Sequence, residues 1–278
     1  MTSQDPPGAV PEALRALPAG LPAGRLRGPD GDGGGPSSPV LWISDEPLDD
    51  ADVWWDRLSR LRPVTGLRPV LFEFRDDPLR PGDARDGSGT EVERRFLDEW
   101  QRHRRRRAEW AALPPVPPCP EEEEFGWPDG SPPFDAWPGL AAAPPPGPEA
   151  EADDRAVAAA AHLVREEPLC RLALVPVARS ADIPAAIGWT GTNGRLSAGD
   201  LSGVLRSWED RFGARLVGLG HGTAFVSAAA GPAGLDEAHR LALEHYLTSP
   251  DTIEQGMVTF SEYAAGLLGR PLWRLWWD

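Results

Sequence analysis

The placement of proline and glycine decides how much of this chain can form regular structure. Its 278 residues include 32 Pro and 30 Gly. They crowd into residues 1–39 and 113–149, in runs such as Pro114-Pro115-Val116-Pro117-Pro118 and Pro144-Pro145-Pro146. Proline lacks a backbone donor, and such segments bury too little apolar surface to offset the entropy of ordering them. The distribution predicts four blocks. Residues 1–39 read as a disordered tail and 113–150 as a Pro-rich acidic linker. Between them, 40–112 reads as a strand–helix–strand unit plus an Arg-rich helix, and 151–278 as a C-terminal α+β domain.

Charge follows the same division. The chain carries a formal net charge of −15. From residue 168 onward there are 11 acidic residues against 9 Arg, so nearly all of the excess lies upstream. An acidic chain is repelled by phosphate backbones and by anionic lipid, so nucleic acid and membrane surface are disfavoured as partners. No run approaches the ~18 apolar residues of a membrane span. The first ten residues lack the basic and apolar regions of a secretory signal. There is no lysine, which excludes Schiff-base, P-loop and kinase-type lysine chemistry. Two cysteines, Cys119 and Cys170, are too few for a disulfide framework or a zinc site. A reducing, cytoplasmic setting is expected, with no metal and no cofactor.

Periodicity supplies the elements. Val40 to Ile43 forms an apolar run, followed by Leu48, Ala51, Trp55, Leu58 and Leu61 at helical spacing, with Pro63 and Gly66 as stops. Val70, Phe72 and Phe74 alternate as a second strand. Phe96, Leu97, Trp100 and Trp110 mark a helix over 91–112 whose block Arg102–Arg107, interrupted by His103, reads as a solvated face opposite the acidic run Glu121–Glu124. Further on, Arg171–Val177 is apolar on both faces, as in a strand covered on both sides. Leu201, Val204, Leu205, Trp208 and Phe212 lie on one helical stripe, opened by Ser197 with Asp200 and closed by Gly213. Two strands then flank Gly220-His221-Gly222 as a hairpin, two helices follow, and Leu272–Trp277 closes the chain. The fold class expected is α+β: a mixed sheet with flanking helices and the aromatic C-terminal strand in the sheet.

No strong catalytic motif is present: no serine nucleophile elbow, no His-Glu-x-x-His, no phosphate-cradling glycine loop. Polar groups do gather near the C-terminal helices. Glu244 and His245 are adjacent, Asp251 and Gln255 follow just past the helix end, and a carboxylate beside an imidazole suits acid–base work. A plainer reading leaves Glu244 exposed, His245 in the core or at the helix end, and Asp251 capping a turn. Asp278 lies beside the chain's own carboxylate and calls for a cationic or hydrogen-bonding neighbour, with Arg211 and His245 as candidates. Of the indoles Trp273, Trp276 and Trp277, two suit the core and one a cleft. The candidate binding cluster is therefore Arg211, Glu244, His245, Asp251, Gln255, Trp277 and Asp278.

Several ordered stretches carry a resemblance: Trp208-Glu209-x-Arg211-Phe212-Gly213-Ala214, Leu241-Ala242-x-Glu244-His245, Pro250-Asp251-x-x-x-Gln255-Gly256 and Trp273-x-x-Trp276-Trp277-Asp278. Together they resemble the bacterial domain-of-unknown-function family 4253 over about residues 170–278. Leu41–Pro47 and Thr65-Gly66-Leu67-x-Pro69 resemble the N-terminal region of its actinobacterial members. Where the family often has Cys before Pro-Asp, this chain has Ser249, which weakens a thiol mechanism there. The resemblance implies a fold and a bacterial cytoplasmic origin, and no established activity. The function expected is a non-enzymatic protein-binding module, immunity-like or regulatory, with another protein as its partner. The alternative is a hydrolase-like enzyme using the Glu/His/Asp cluster.

Overall fold

A computed structural model describes residues 10–28, 39–73, 89–114, 130–142, 144, 147–167 and 169–278. Expectations placed on Phe74, Cys119, Glu121–Glu124 and the remainder of the proline runs lie outside the described residues.

Seven strands form one sheet: β1 (Gly24–Arg27), β2 (Leu41–Ser44), β3 (Arg68–Glu73), β4 (Leu169–Val175), β5 (Arg215–Gly220), β6 (Thr223–Ser227) and β7 (Leu272–Trp276). Their spatial order is β1-β2-β4-β3-β5-β6-β7. The β3–β5 pair is parallel and every other neighbouring pair antiparallel. The mixed α+β sheet is as expected. It also runs through the boundary that composition suggests at residue 150, because β4 lies between β2 and β3. The strand–helix–strand unit formed by β2, helix α2 (Ala51–Thr65) and β3 is thus split by a strand made about a hundred residues later.

Alternation along the strands sends side chains to both faces, and each face has its own helices. On one face Trp42, Leu71, Leu172, Leu174, Val217 and Phe225 pack against α2 and α4 (Glu149–Glu166), with Leu14 of the short α1 (Glu12–Arg15) joining them. On the other, Ile43, Phe72, Ala173, Val175, Val226 and Leu275 pack beneath α3 (Gly89–Ala111), α6 (Ala198–Phe212), α7 (Leu235–Thr248) and α9 (Phe260–Leu267). Two short helices, α5 (Ile183–Ile187) and α8 (Asp251–Glu254), complete the set.

Local chemistry accounts for several element ends. The Ser197 hydroxyl accepts the Asp200 N–H at 3.0 Å and starts α6, which Gly213 ends at φ +60°. Thr259 and Glu262 form a reciprocal capping box at α9. At α2, Pro63 does not stop the helix: it lies inside, and the helix runs on to Gly66 at φ +67°. A proline so near the C-terminus removes a single intrahelical hydrogen bond.

Two stretches depart from the composition. Within the expected tail, residues 10–28 contain α1 and the edge strand β1, which pairs with β2 from Gly24↔Ser44 to Arg27↔Leu41. Within the expected linker, 130–142 has no regular element, yet Ala141 is buried and Phe134, Trp137 and Leu140 pack on the core. Helix α4 begins at Glu149 and buries Ala152, Ala156, Ala159, Ala160 and Leu163 against the sheet.

Candidate functional site

The predicted cluster resolves into two groups with different surroundings. The first is centred on Glu244, which α7 places with 0 % exposure, so the reading that left it on the surface is corrected. Its Oε1 accepts the Ala141 N–H at 2.8 Å and Arg211 Nη1 at 2.9 Å. Its Oε2 accepts the Trp208 indole N–H at 2.8 Å and a second hydrogen bond from Arg211 Nη2. Arg211 in turn donates to the Ala141 carbonyl at 2.7 Å and packs on the Phe212 ring. This is a bidentate ion pair with every carboxylate direction filled. It ties α6, α7 and the 130–142 stretch together.

His245, the next residue, points elsewhere. It too is fully buried, with the rings of Trp208 and Trp273 against it at 4.8 and 4.9 Å between centroids. Its Nδ1 lies 2.9 Å from the Tyr263 hydroxyl. Burial, and then the Arg211 guanidinium, push its pKa down to about 3. A neutral imidazole sealed between indoles has no route to a substrate.

The second group surrounds Asp251, at the start of α8. Its carboxylate accepts Arg195 Nη2 at 3.2 Å, Gln255 Nε2 at 3.4 Å and the Asp278 backbone N–H at 3.2 Å. Trp277 is buried, its indole N–H donating to the Thr248 carbonyl at 2.9 Å and its ring set edge-on to Trp189. The β5–β6 turn approaches it closely: Gly222, at φ +65°, accepts the Trp277 N–H, and a Cβ there would come 2.4 Å from the Trp277 carbonyl oxygen. Trp276 is half-buried and Asp278 exposed. The structure therefore joins Arg211 with Glu244, and Asp251 with Gln255 and the backbone of Asp278. Among the described residues, no hydrogen bond or ion pair links the Asp278 side chain to Arg211 or His245.

A concave surface lies beside these groups, between α3 and the C-terminal end of α7. It is an open groove of about 940 Å³. Helix α3 contributes Glu99, Arg102, His103, Arg106, Arg107 and Trp110, which share one face at three- and four-residue spacing. Tyr246 and Glu254 line the opposite wall, with the Tyr246 hydroxyl donating to Glu254. Arg102 and Arg106 both reach Glu99. Burial alone would raise the Glu99 carboxyl, and these two guanidinium groups outweigh it and hold the carboxyl below its usual range. At the far end Arg95 pairs with Asp200 at 2.9 Å.

His103 sits in this wall with 8 % exposure, stacked on Trp100 at 5.4 Å and edge-on to Tyr246 at 5.1 Å. Its Nε2 has no hydrogen-bond partner among the described residues. Burial, then Arg107 and Arg106, lower its pKa. Trp110, in contrast, is 78 % exposed. The Arg block, expected as a solvated face, is exposed, and His103 and Tyr246, outside the candidate cluster, line the groove beside it. The stripe at 99, 102/103, 106/107 and 110 was the available signal. Among the described residues no group of three or more His, Cys, Asp or Glu is placed to hold a metal ion, and no helix is long and apolar enough to cross a membrane.

Residues 171–278 match the family model described as Domain of unknown function (DUF4253). No curated protein and no solved structure matches the chain.

Proposed function

We propose that this chain is a non-enzymatic binding module, immunity-like or regulatory, that holds another protein along the groove between α3 and α7. One contrast carries the reading. The groups with catalytic potential are consumed internally, Glu244 by four hydrogen bonds and His245 by a closed aromatic cage. The groove instead offers guanidinium groups and a bare indole to solvent, the residue types that anchor protein interfaces. A hydrolase built on Glu244, His245 and Asp251 would need at least one of them within hydrogen-bonding reach of a substrate. Glu244 and His245 are fully buried, and Asp251 is engaged by Arg195, Gln255 and Asp278. Cys170, not joined in a disulfide among the described residues, suits a reducing cytoplasm, and the N-terminal resemblance suits an actinobacterial host.

Site-specific photo-crosslinking in the native host tests this. A benzophenone amino acid replacing Trp110 should give one dominant protein adduct, identified by mass spectrometry. The same group replacing Val64, 82 % exposed on α2 across the sheet, should not. Equal yields at the two positions, or none at 110, would refute the reading.

A further inference from the structure

We infer that the groove takes an acidic peptide segment, rich in carboxylates, lying along α3; this rests on the binding-module reading above and names the chemistry of its partner. Three observations converge. The first is where positive charge is left over. Arg95 is paired by Asp200 and Arg195 by Asp251, which accounts for those two cations. Arg102 takes Glu99 through Nε at 3.0 Å and through Nη2, so Arg106 has only a share of the same carboxylate at 3.3 Å. Arg107 has no carboxylate partner among the described residues. With Glu254 on the opposite wall engaged by the Tyr246 hydroxyl, the least compensated guanidinium groups are those of Arg106 and Arg107, one turn from the exposed Trp110. Planar guanidinium forks match carboxylates in pairs of parallel hydrogen bonds.

The second observation is His103. It is more than nine-tenths buried, lines the groove, and carries a ring nitrogen with no partner. A buried polar atom without a partner is costly. Nε2 is itself closed off from solvent, so a ligand reaches it only when the ring turns toward the groove, where, protonated as in one neutral tautomer, it would donate to a carbonyl or carboxylate.

The third is shape. The α3 stripe from Arg95 to Trp110 spans about 22 Å at the helical rise, the length of about six or seven extended residues. Carboxylates of the segment would meet Arg106 and Arg107 at one end of the stripe, and the rest of the segment would lie along the groove. A short acidic segment also suits a chain of net charge −15 better than a long polyanion does. Only charges within a screening length of roughly 8–10 Å act on each group, so a short ligand feels the groove more than the distant acidic residues.

The test uses the full chain and three fluorescein-labelled probes read by anisotropy at near-physiological salt. They are a Glu-rich peptide of about eight residues, its Gln counterpart, and an oligothymidylate of matched length. The Glu peptide should bind saturably, and the Gln peptide at least about tenfold more weakly, since charge-assisted pairing supplies the contact. The double variant Arg106→Ala/Arg107→Ala, whose side chains are exposed and whose fold can be checked by circular dichroism, should lose about tenfold or more for the Glu peptide. His103→Phe should weaken it further while keeping the ring stack. Equal binding of Glu and Gln peptides, indifference to the two arginines, or failure of the Glu peptide to bind would overturn the inference. Tighter binding of the oligonucleotide would assign the groove to nucleic acid and overturn it as well. If photo-crosslinking at 110 succeeds while the Glu peptide fails, the binding module stands and only its acidic partner falls.

Discussion

At residue 244 the neighbours decide what the side chain does. Glu244 beside His245 suggests acid–base chemistry only while its partners are unknown. Those partners come from Trp208, Arg211 and Ala141, more than 30 residues away along the chain. Local spacing shows that α7 is amphipathic, but not which distant cation closes on a particular carboxylate. Because the pair is buried, breaking it strands a charge. Glu244→Gln should therefore cost about 3–5 kcal/mol in urea unfolding, and a loss below about 1 kcal/mol would mean that Arg211 finds another partner. His245 gives a pH signature. Its folded pKa, about 3, lies below the ordinary 6.5. Between those values the unfolded chain takes up a proton that the folded protein refuses. The stability is full above about pH 6.5 and falls on acidification, with a slope approaching about 1.4 kcal/mol per pH unit. His245→Asn keeps an acceptor near Nδ1 but does not titrate, so its stability curve should be flatter than that of the wild type by one proton. Parallel curves between pH 4 and 6 would show that the imidazole is not the group responsible.

Helices and strands differ in how far they can be read from the chain. Helix α6 was legible because Leu201, Val204, Leu205, Trp208 and Phe212 form one stripe, and all are buried. Helix α4 went unread even though Ala152, Ala156, Ala159/Ala160 and Leu163 keep the same period. Alanines carry little hydrophobic weight, and they suffice only because α4 lies close against the sheet. Strand β1 is harder still. Gly24-Arg25-Leu26-Arg27 has no apolar face and is a strand only through its ladder to β2. The C-terminal strand was expected from its aromatic run, and β7 occupies a sheet edge where Trp273 and Leu275 are buried while Arg274 is exposed. Caps are the most local signal of all. Thr259→Ala removes the hydroxyl that accepts the Glu262 N–H, leaves the backbone half of the α9 box in place, and should lower stability by about 1 kcal/mol. Unchanged thermal unfolding, or protection of the α9 amides equal to wild type in hydrogen exchange, would count against that assignment.

On the scale of the whole molecule, the 171–278 segment that matches a family is not a closed sheet. It holds most of β4 with β5, β6 and β7, but β4 is bonded on both sides to β2 and β3, and β5 pairs with β3. Residues 171–278 alone should therefore fail to fold: dispersed amide resonances and a cooperative melt should require β2 and β3 to be present. A native-like spectrum from that segment would show that β4 and β5 can close the gap without them. The position of β3 has another consequence, in time rather than in space. Both strands that flank it lie downstream, roughly 100 and 140 residues later, so at about 5–20 residues per second a ribosome leaves β3 waiting some 5–30 seconds for its neighbours. During that interval Val70, Leu71 and Phe72 emerge from the exit tunnel on a strand with two open edges. Translation speed and chaperone supply, rather than the stability of the finished fold, then set how much of the nascent protein escapes aggregation.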